Sequence, residues 1–304
     1  MRIVITGGSG LIGNAVANEL GSAGHEVVVL TRDPSKVSPL PPGTRAVQWD
    51  GKTLGDWAKL IDTDTGDTAV LHLAGDSVAE GRWTDEKKRR IRQSRIESGR
   101  AVLAAIRRAK SPPKVLLQGS AVGYYGACGD ERVTESHAPG DDFLARVCVE
   151  WEASTAEVAT LGVRRPVLRT GIVLSSEGGA LPKMALPFRL MAGGPLGGGR
   201  QWVPWIHIAD EVGAIRCLLE REDADGPFNL TAPEPLTNRD FSRALGRALS
   251  RPSFAPAPGF ALRFLLGEMA DALLHGQRAV PRALLDLGYV FRYPEAAGAL
   301  RSLL

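Results

Sequence analysis

Gly7, Gly10 and Gly13 follow directly on a β-branched run, Ile3-Val4-Ile5-Thr6, and open onto the helical pattern Asn14 to Ala23. A strand, a tight turn and a helix start in that order form a site for the pyrophosphate of a dinucleotide. The first N–H groups of the helix, here those of Leu11, Ile12 and Gly13, lack intrahelical partners and lie at the positive end of its dipole. Gly7 is expected to make the turn, Gly10 to allow the phosphates close to the backbone, and Gly13 to let the helix pack on the sheet.

The next strand, His25 to Leu30, distinguishes between dinucleotides. An NAD site places a carboxylate at its end for the ribose 2′-hydroxyl, whereas an NADP site drops it and supplies an arginine. Here Thr31 takes the carboxylate's place and Arg32 follows, able to hold a 2′-phosphate with forked, charge-assisted hydrogen bonds. Asp33, with Pro34 behind it, reads as the start of a turn. The expected cofactor is NADP(H).

Other residues have the chemistry for a substrate site. Arg82 and Trp83, and later Arg200, Gln201 and Trp202, combine guanidinium forks with aromatic faces, suited to a flat or anionic molecule; as loop residues they would serve equally to cover the core. His207, close to Asp210, is either an acid/base in the pocket or a structural hydrogen-bonding residue at a helix start. The five histidines show no metal-ligand spacing, so no metal is expected. Cys128, Cys148 and Cys217 are odd in number without a C-x-x-C pair, which fits a reducing cytosol.

These residues require a scaffold that alternates strands and helices. Strands are expected at Arg45 to Trp49, Ala69 to Leu73, Lys114 to Gln118 and Arg164 to Arg169, with helices at Glu86 to Arg108 and Phe143 to Thr160 between them. Alternation of this kind gives an α/β fold, a Rossmann-type doubly wound parallel sheet. Past the glycine-rich Gly193 to Gly199, helices are expected at Asn238 to Leu249, Gly259 to Leu274 and Pro294 to Leu304. The reading divides the chain into a dinucleotide-binding domain, 1–224, whose later part contributes to the substrate pocket, and a smaller, mainly helical C-terminal lobe, 225–304.

With 304 residues, 44% of them hydrophobic, a large core is available, and a net charge of +3 asks for neither nucleic acid nor membrane. The basic run Lys87 to Arg92 precedes Ile96, Val102 and Ile106 at near-helical spacing and reads as a solvated helix face. No apolar run approaches membrane-spanning length, so a cytoplasmic protein with a small-molecule substrate is expected, in an oligomeric state the sequence leaves open.

The chain resembles an extended short-chain dehydrogenase/reductase, and more narrowly the epimerase-family proteins with a small C-terminal domain of unknown function. The resemblance rests on Thr6-Gly7-Gly8-Ser9-Gly10-Leu11-Ile12-Gly13, Leu71-His72-Leu73-Ala74-Gly75, Gly119 to Gly126, Trp205 to Asp210 and Gly276 to Pro281. It implies that Ala74-Gly75 lies along the cofactor, that Asp50 either touches its adenine or caps a loop, and that the backbone of Arg169 to Ile172 lies near the nicotinamide. It implies an acid/base pair, Tyr-x-x-x-Lys, that this chain lacks altogether. If Glu152 matches the family's acidic residue after the pair, Leu144 and Cys148 occupy the two positions. The remaining proton-transfer candidates are Ser120, where relatives place a hydroxyl, and Tyr124, with Tyr125 beside it as a pocket candidate; each would otherwise be a loop hydroxyl or a packed ring. Two readings follow: an NADP(H)-dependent oxidoreductase or epimerase-like enzyme, or a non-catalytic NADP(H)-binding sensor or regulatory protein.

Overall fold

The computed structural model describes residues 1–37, 40–63 and 66–304. Seven strands form the main sheet: β1 (Arg2–Thr6), β2 (Glu26–Thr31), β3 (Thr44–Gln48), β4 (Thr68–His72), β5 (Val115–Ala121), β6 (Pro166–Thr170) and β7 (Gly226–Leu230). Their spatial order is β7-β6-β5-β4-β1-β2-β3, every pair parallel. The chain builds outward from β1 to β3 and then crosses back to lay β4 on the other side of β1. At that switch the loops after β1 and β4 diverge and leave a crevice, the place where open α/β sheets bind ligands.

The strands are apolar on both faces because helices cover both. One face, with Ile3, Ile5, Val27, Val29 and Leu71, packs under α1 (Leu11–Ser22), which contributes Val16 and Leu20, and under a later helix, Ile208–Glu220, which contributes Ile215 and Leu218. The other, with Val4, Val28, Leu30 and Val70, packs under α2 (Asp85–Arg108) through Val102, Ala105 and Ile106. Each fully buried side chain of this size contributes roughly 1.5–3 kcal/mol. The basic run lies on α2, where Lys87 and Arg90 pair with Asp76, Lys88 with Glu268 and Arg92 with Glu150.

Two long expected helices are each broken. The stretch from Phe143 gives α3 (Phe143–Ala153) and then a 3-10 turn, Ala156–Leu161, because the chain bends at Thr155, whose hydroxyl is buried and donates to Gln118. After α4 (Leu181–Arg189), α5 (Ile208–Glu220) and α6 (Asn238–Ala248), the stretch from Gly259 splits into α7 (Gly259–Leu266) and α8 (Met269–Leu274). Gly267 between them adopts φ +61° with ψ −140°, a conformation that glycine alone adopts without strain. The chain ends in α9 (Arg282–Asp286) and α10 (Ala296–Leu303).

The expected boundary after residue 224 falls just before β7, which completes the main sheet beside β6. Beyond it the chain builds a second core, with Phe241 and Leu245 of α6 and Leu300 of α10 packed on Trp205 and Phe188. It then returns to the first: Arg278–Ala279 pairs in parallel with Arg132–Val133, and Asn229 of β7 donates to the Val280 carbonyl.

Candidate active site

The glycine turn closes as its sequence requires. Gly7 has φ +73°, and a Cβ there would sit 2.8 Å from the Leu73 carbonyl carbon, so the turn rests directly on the loop after β4. Gly13 plays a different part from the expected one. Its Cβ would lie 2.5 Å from the Gly7 oxygen, so it packs the helix on its own turn, while Gly8 makes the contact with the sheet, at Val29. Gly10, the N-cap of α1, has only the Gly7 oxygen, 3.3 Å from where a Cβ would stand, and its other side is open. The first intrahelical bond is Asn14 N–H to Gly10 O, which leaves the N–H groups of Leu11, Ile12 and Gly13 without helical acceptors, and the first turn carries no acidic residue. These are the features of an anion cradle.

The Thr31 hydroxyl donates to Ser9 Oγ and the Asp33 carbonyl at 3.4 Å each, tying the end of β2 to the glycine turn. The Asp33 carboxylate is engaged in its own turn, accepting from the Ser35 backbone N–H at 3.1 Å and hydroxyl at 2.6 Å. Arg32 is exposed and has no hydrogen-bond or ion-pair partner among the described residues. Asp50 caps its loop, accepting from Lys52 N–H, Thr53 N–H and the Thr53 hydroxyl, and these bonds lower its pKa. Ala74 N–H donates to Thr6 Oγ1, and Gly75 lies under Arg95, whose Cζ would be 2.9 Å from a Cβ.

Beside the crevice lies a cavity of about 1690 Å³. It runs from Thr170, Gly171 and Ile172 at the end of β6, past the α3 face of Leu144, Val147, Cys148 and Trp151, to the underside of α7 and α8. Arg82, Trp83 and Trp202 line it. Trp202 donates to Asp130 and stacks under Arg278, and Trp83 donates to the Val78 carbonyl. Leu144 and Cys148 both line this space. Burial raises the Cys148 thiol pKa to about 11, so it is a neutral thiol at physiological pH.

Ser120, Tyr124, Tyr125 and His207 stand outside the cavity wall. The Ser120 hydroxyl donates to Glu152 Oε1 at 2.6 Å. Glu152 is held bidentately by Arg169, at 3.0 and 3.1 Å, and Arg169 also donates to the Tyr125 hydroxyl and lies over the Tyr124 ring, 3.5 Å from its centroid. Tyr125 in turn donates to Asn229 Oδ1 at 2.7 Å, and burial raises its pKa to about 12. His207 caps α5: Nδ1 accepts from Ala209 N–H, Nε2 meets Ser302 Oγ, and the ring stacks on Tyr293. Both nitrogens are committed, and burial lowers its pKa, so it is a neutral structural histidine.

The sequence reading missed Arg169 and Glu211. An arginine within a strand as apolar as Pro166–Thr170 requires a buried counter-ion, and that was a readable signal. Glu211 stands on the buried face of α5 and is fully buried. Oε1 is hydrogen-bonded with the Thr170 hydroxyl at 2.9 Å, and Oε2 has no partner among the described residues. Burial raises its pKa to about 8, so it holds its proton at neutral pH. Through Thr170 it is one hydroxyl away from the cavity.

A parallel sheet in this order, with a glycine turn and helix start at its switch, defines a Rossmann-like nucleotide-binding α/β protein. Residues 3–231 match the model of the NAD dependent epimerase/dehydratase family, and residues 257–303 match a domain of unknown function, DUF1731. The epimerase family protein SDR39U1 homolog, chloroplastic, of Arabidopsis thaliana is 39% identical over 306 residues, covering 100% of this chain and 87% of its own length. The epimerase family protein YfhF of Bacillus subtilis is 37% identical, covering 100% of this chain and 98% of its own. The crystal structure of human epimerase family protein SDR39U1 (isoform 2) with NADPH superposes with a TM-score of 0.88 at 34% identity, covering 100% of this chain and 99% of that one. The chain belongs to the NAD-dependent epimerase/dehydratase family, with the DUF1731 segment at its C-terminal end. Among the described residues no helix is long and apolar enough to cross a membrane.

Proposed function

We propose that the protein is an NADP(H)-dependent reductase of a carbonyl compound. The observation that carries this is a glycine turn at Gly7 to Gly13 with the features of an anion cradle, on a sheet whose strand β6 ends at a large cavity. The backbone from Gly10 to Gly13 would hold the pyrophosphate, Thr31 and Arg32 the 2′-phosphate, and Ala74 and Gly75 the adjoining ribose. The human relative, crystallised with NADPH, supports the same cofactor here.

When bound, NADPH supplies a hydride. The chain must supply a proton to the oxygen of the reduced carbonyl. Thr170 is placed to do this: it borders the cavity, and protonated Glu211 stands behind it at 2.9 Å. For this the proton of neutral Glu211 sits on Oε1, so that the bond runs from Glu211 to Thr170 Oγ1; the Thr170 O–H then turns to the substrate oxygen and breaks toward it as Glu211 passes its proton to Thr170, leaving a carboxylate. Ser120, through Glu152 and Arg169, fixes the loop after β5, with Tyr124 packed on the same guanidinium.

A second reading, binding without turnover, is favoured by Leu144 and Cys148, which put neither a phenol nor an ammonium on the α3 face. NADPH oxidation at 340 nm across a panel of carbonyl compounds separates the two readings. Turnover that falls as pH rises through about 8, and does so less in Glu211→Gln, supports the reductase. Tight NADPH binding with no oxidation across the panel supports the sensor.

A further inference from the structure

Many of the cavity's polar side chains bond within its own wall. Asn238 Oδ1 accepts from Leu196 N–H, Gln201 Nε2 donates to the carbonyls of Leu196 and Leu273, and Gln277 Nε2 donates to the Gly126 carbonyl at 2.6 Å. The Arg263 guanidinium is paired with Asp271, Lys183 donates to the Ala79 carbonyl, and Arg95 donates to the carbonyls of Asp76 and Ile91 while lying over Trp151. What these bonds leave facing the space is hydrocarbon and aromatic surface, including Leu144, Ile172, Met184, Phe188, Phe241 and Leu266. The volume, about 1690 Å³, exceeds the roughly 300–1,000 Å³ of an ordinary small-molecule site.

Helix α7, which borders the cavity, has the same character. Helix α7 has no buried residue, and Leu265, in the cavity wall, is 64% exposed beside Phe264 at 80% and Phe260 at 77%. Such a helix gains contacts when an apolar molecule passes or rests beneath it.

We propose that the cavity takes a bulky, hydrocarbon-rich carbonyl compound rather than a nucleoside-diphosphate sugar. A diphosphate needs unpaired guanidinium or ammonium groups, and a sugar ring needs free hydrogen-bonding groups on several sides; otherwise each loses water without compensation. Arg82 and Lys183, both exposed, have no carboxylate partner among the described residues, and together they suit one polar terminus. An apolar body instead gains from every square ångström of that wall. The proposal rests on the reductase reading for the place of the reacting carbon, beside Thr170, but its claim about the ligand class stands on the wall alone.

The test uses the NADPH-loaded protein, with N-phenyl-1-naphthylamine as an uncharged apolar fluorophore and UDP-glucose as the contrasting ligand, the latter followed by calorimetry. Saturable dye binding, displacement by decanal and no heat from UDP-glucose are expected. Met184→Trp, which fills the cavity, should weaken the dye about tenfold or more with NADPH affinity unchanged. Leu266→Trp, from the opposite wall, serves if the first variant does not fold. UDP-glucose binding, or dye binding unaltered in the filled variant, overturns the proposal. Displacement by decanal without NADPH oxidation upholds the ligand class and counts against the reductase reading instead.

Discussion

The glycine cradle and the large cavity are built on different principles. The cradle is a stretch of local chain, Gly7 to Gly13, in which the backbone presents free N–H groups and side chains mainly keep clear. The cavity gathers side chains from α3, the end of β6, α4, α6, α7 and α8, so its chemistry lies in what distant residues do to each other. The difference implies that single substitutions should be decisive in the cradle and graded in the cavity.

The largest effect is expected at Gly10. A valine there fills the one open side of the turn, so NADPH affinity should fall by more than about a hundredfold while the far-ultraviolet circular dichroism is retained. A folded Gly10→Val protein that still binds NADPH would remove the cradle from the comparison. Next comes Arg32→Ala. Loss of a charge-assisted pair costs about 1.5–3 kcal/mol, roughly ten- to a hundredfold on NADPH, with NADH unaffected; equal losses for both cofactors in a fluorescence titration would show that Arg32 does not read the 2′-phosphate.

On the cavity side, Thr170→Val should slow turnover about tenfold or more without changing cofactor affinity, as loss of acid/base assistance would. Ser120→Ala and Tyr124→Phe should each cost less, since neither residue lines the cavity. A reversed ranking in kcat would return proton delivery to Ser120 and Tyr124. The smallest effect concerns stability. Glu211 has its folded pKa raised to about 8 from 4.5, so the native state holds a proton that the unfolded chain releases across that window. Stability should therefore fall as pH rises from about 4.5 to 8, and Glu211→Gln should melt higher than wild type at pH 8, by on the order of a few degrees, with little difference at pH 4.5. Parallel melting curves at both pH values would show that Glu211 is ionised in the folded protein.

The same contrast explains what the sequence made legible. Alternating strands and helices, the glycine turn and the loss of the acid at Thr31 are local patterns, and a local pattern survives in one dimension. Even there the contact with the sheet expected of Gly13 is made by Gly8, because spacing alone does not say which glycine meets the sheet. Helix ends were less readable: the break at Gly267 is a glycine among helix formers, and the bend at Thr155 depends on a hydrogen bond to Gln118, 37 positions away. For His207 residue type alone left both an acid/base and a structural role open; the bond to Ala209 N–H, Ser302, 95 positions on, and the stacked Tyr293 reveal a cap. The Ser120–Glu152–Arg169–Tyr125–Asn229 network spans β5, α3, β6 and β7 and becomes visible only when these elements are brought together.

The return of the chain after α8 has a further consequence. Glu135, in the loop after the short strand Arg132–Val133, accepts from the backbone N–H of both Asn229 in β7 and Ala283 in α9, so one carboxylate joins the last sheet strand to the C-terminal segment. The two stretches matched by separate family models are thus joined through a single carboxylate oxygen. Calorimetry should show a single unfolding transition across the whole chain, and cleavage in the connector before α7 should lower the melting temperature of the Rossmann portion as well as open the cavity.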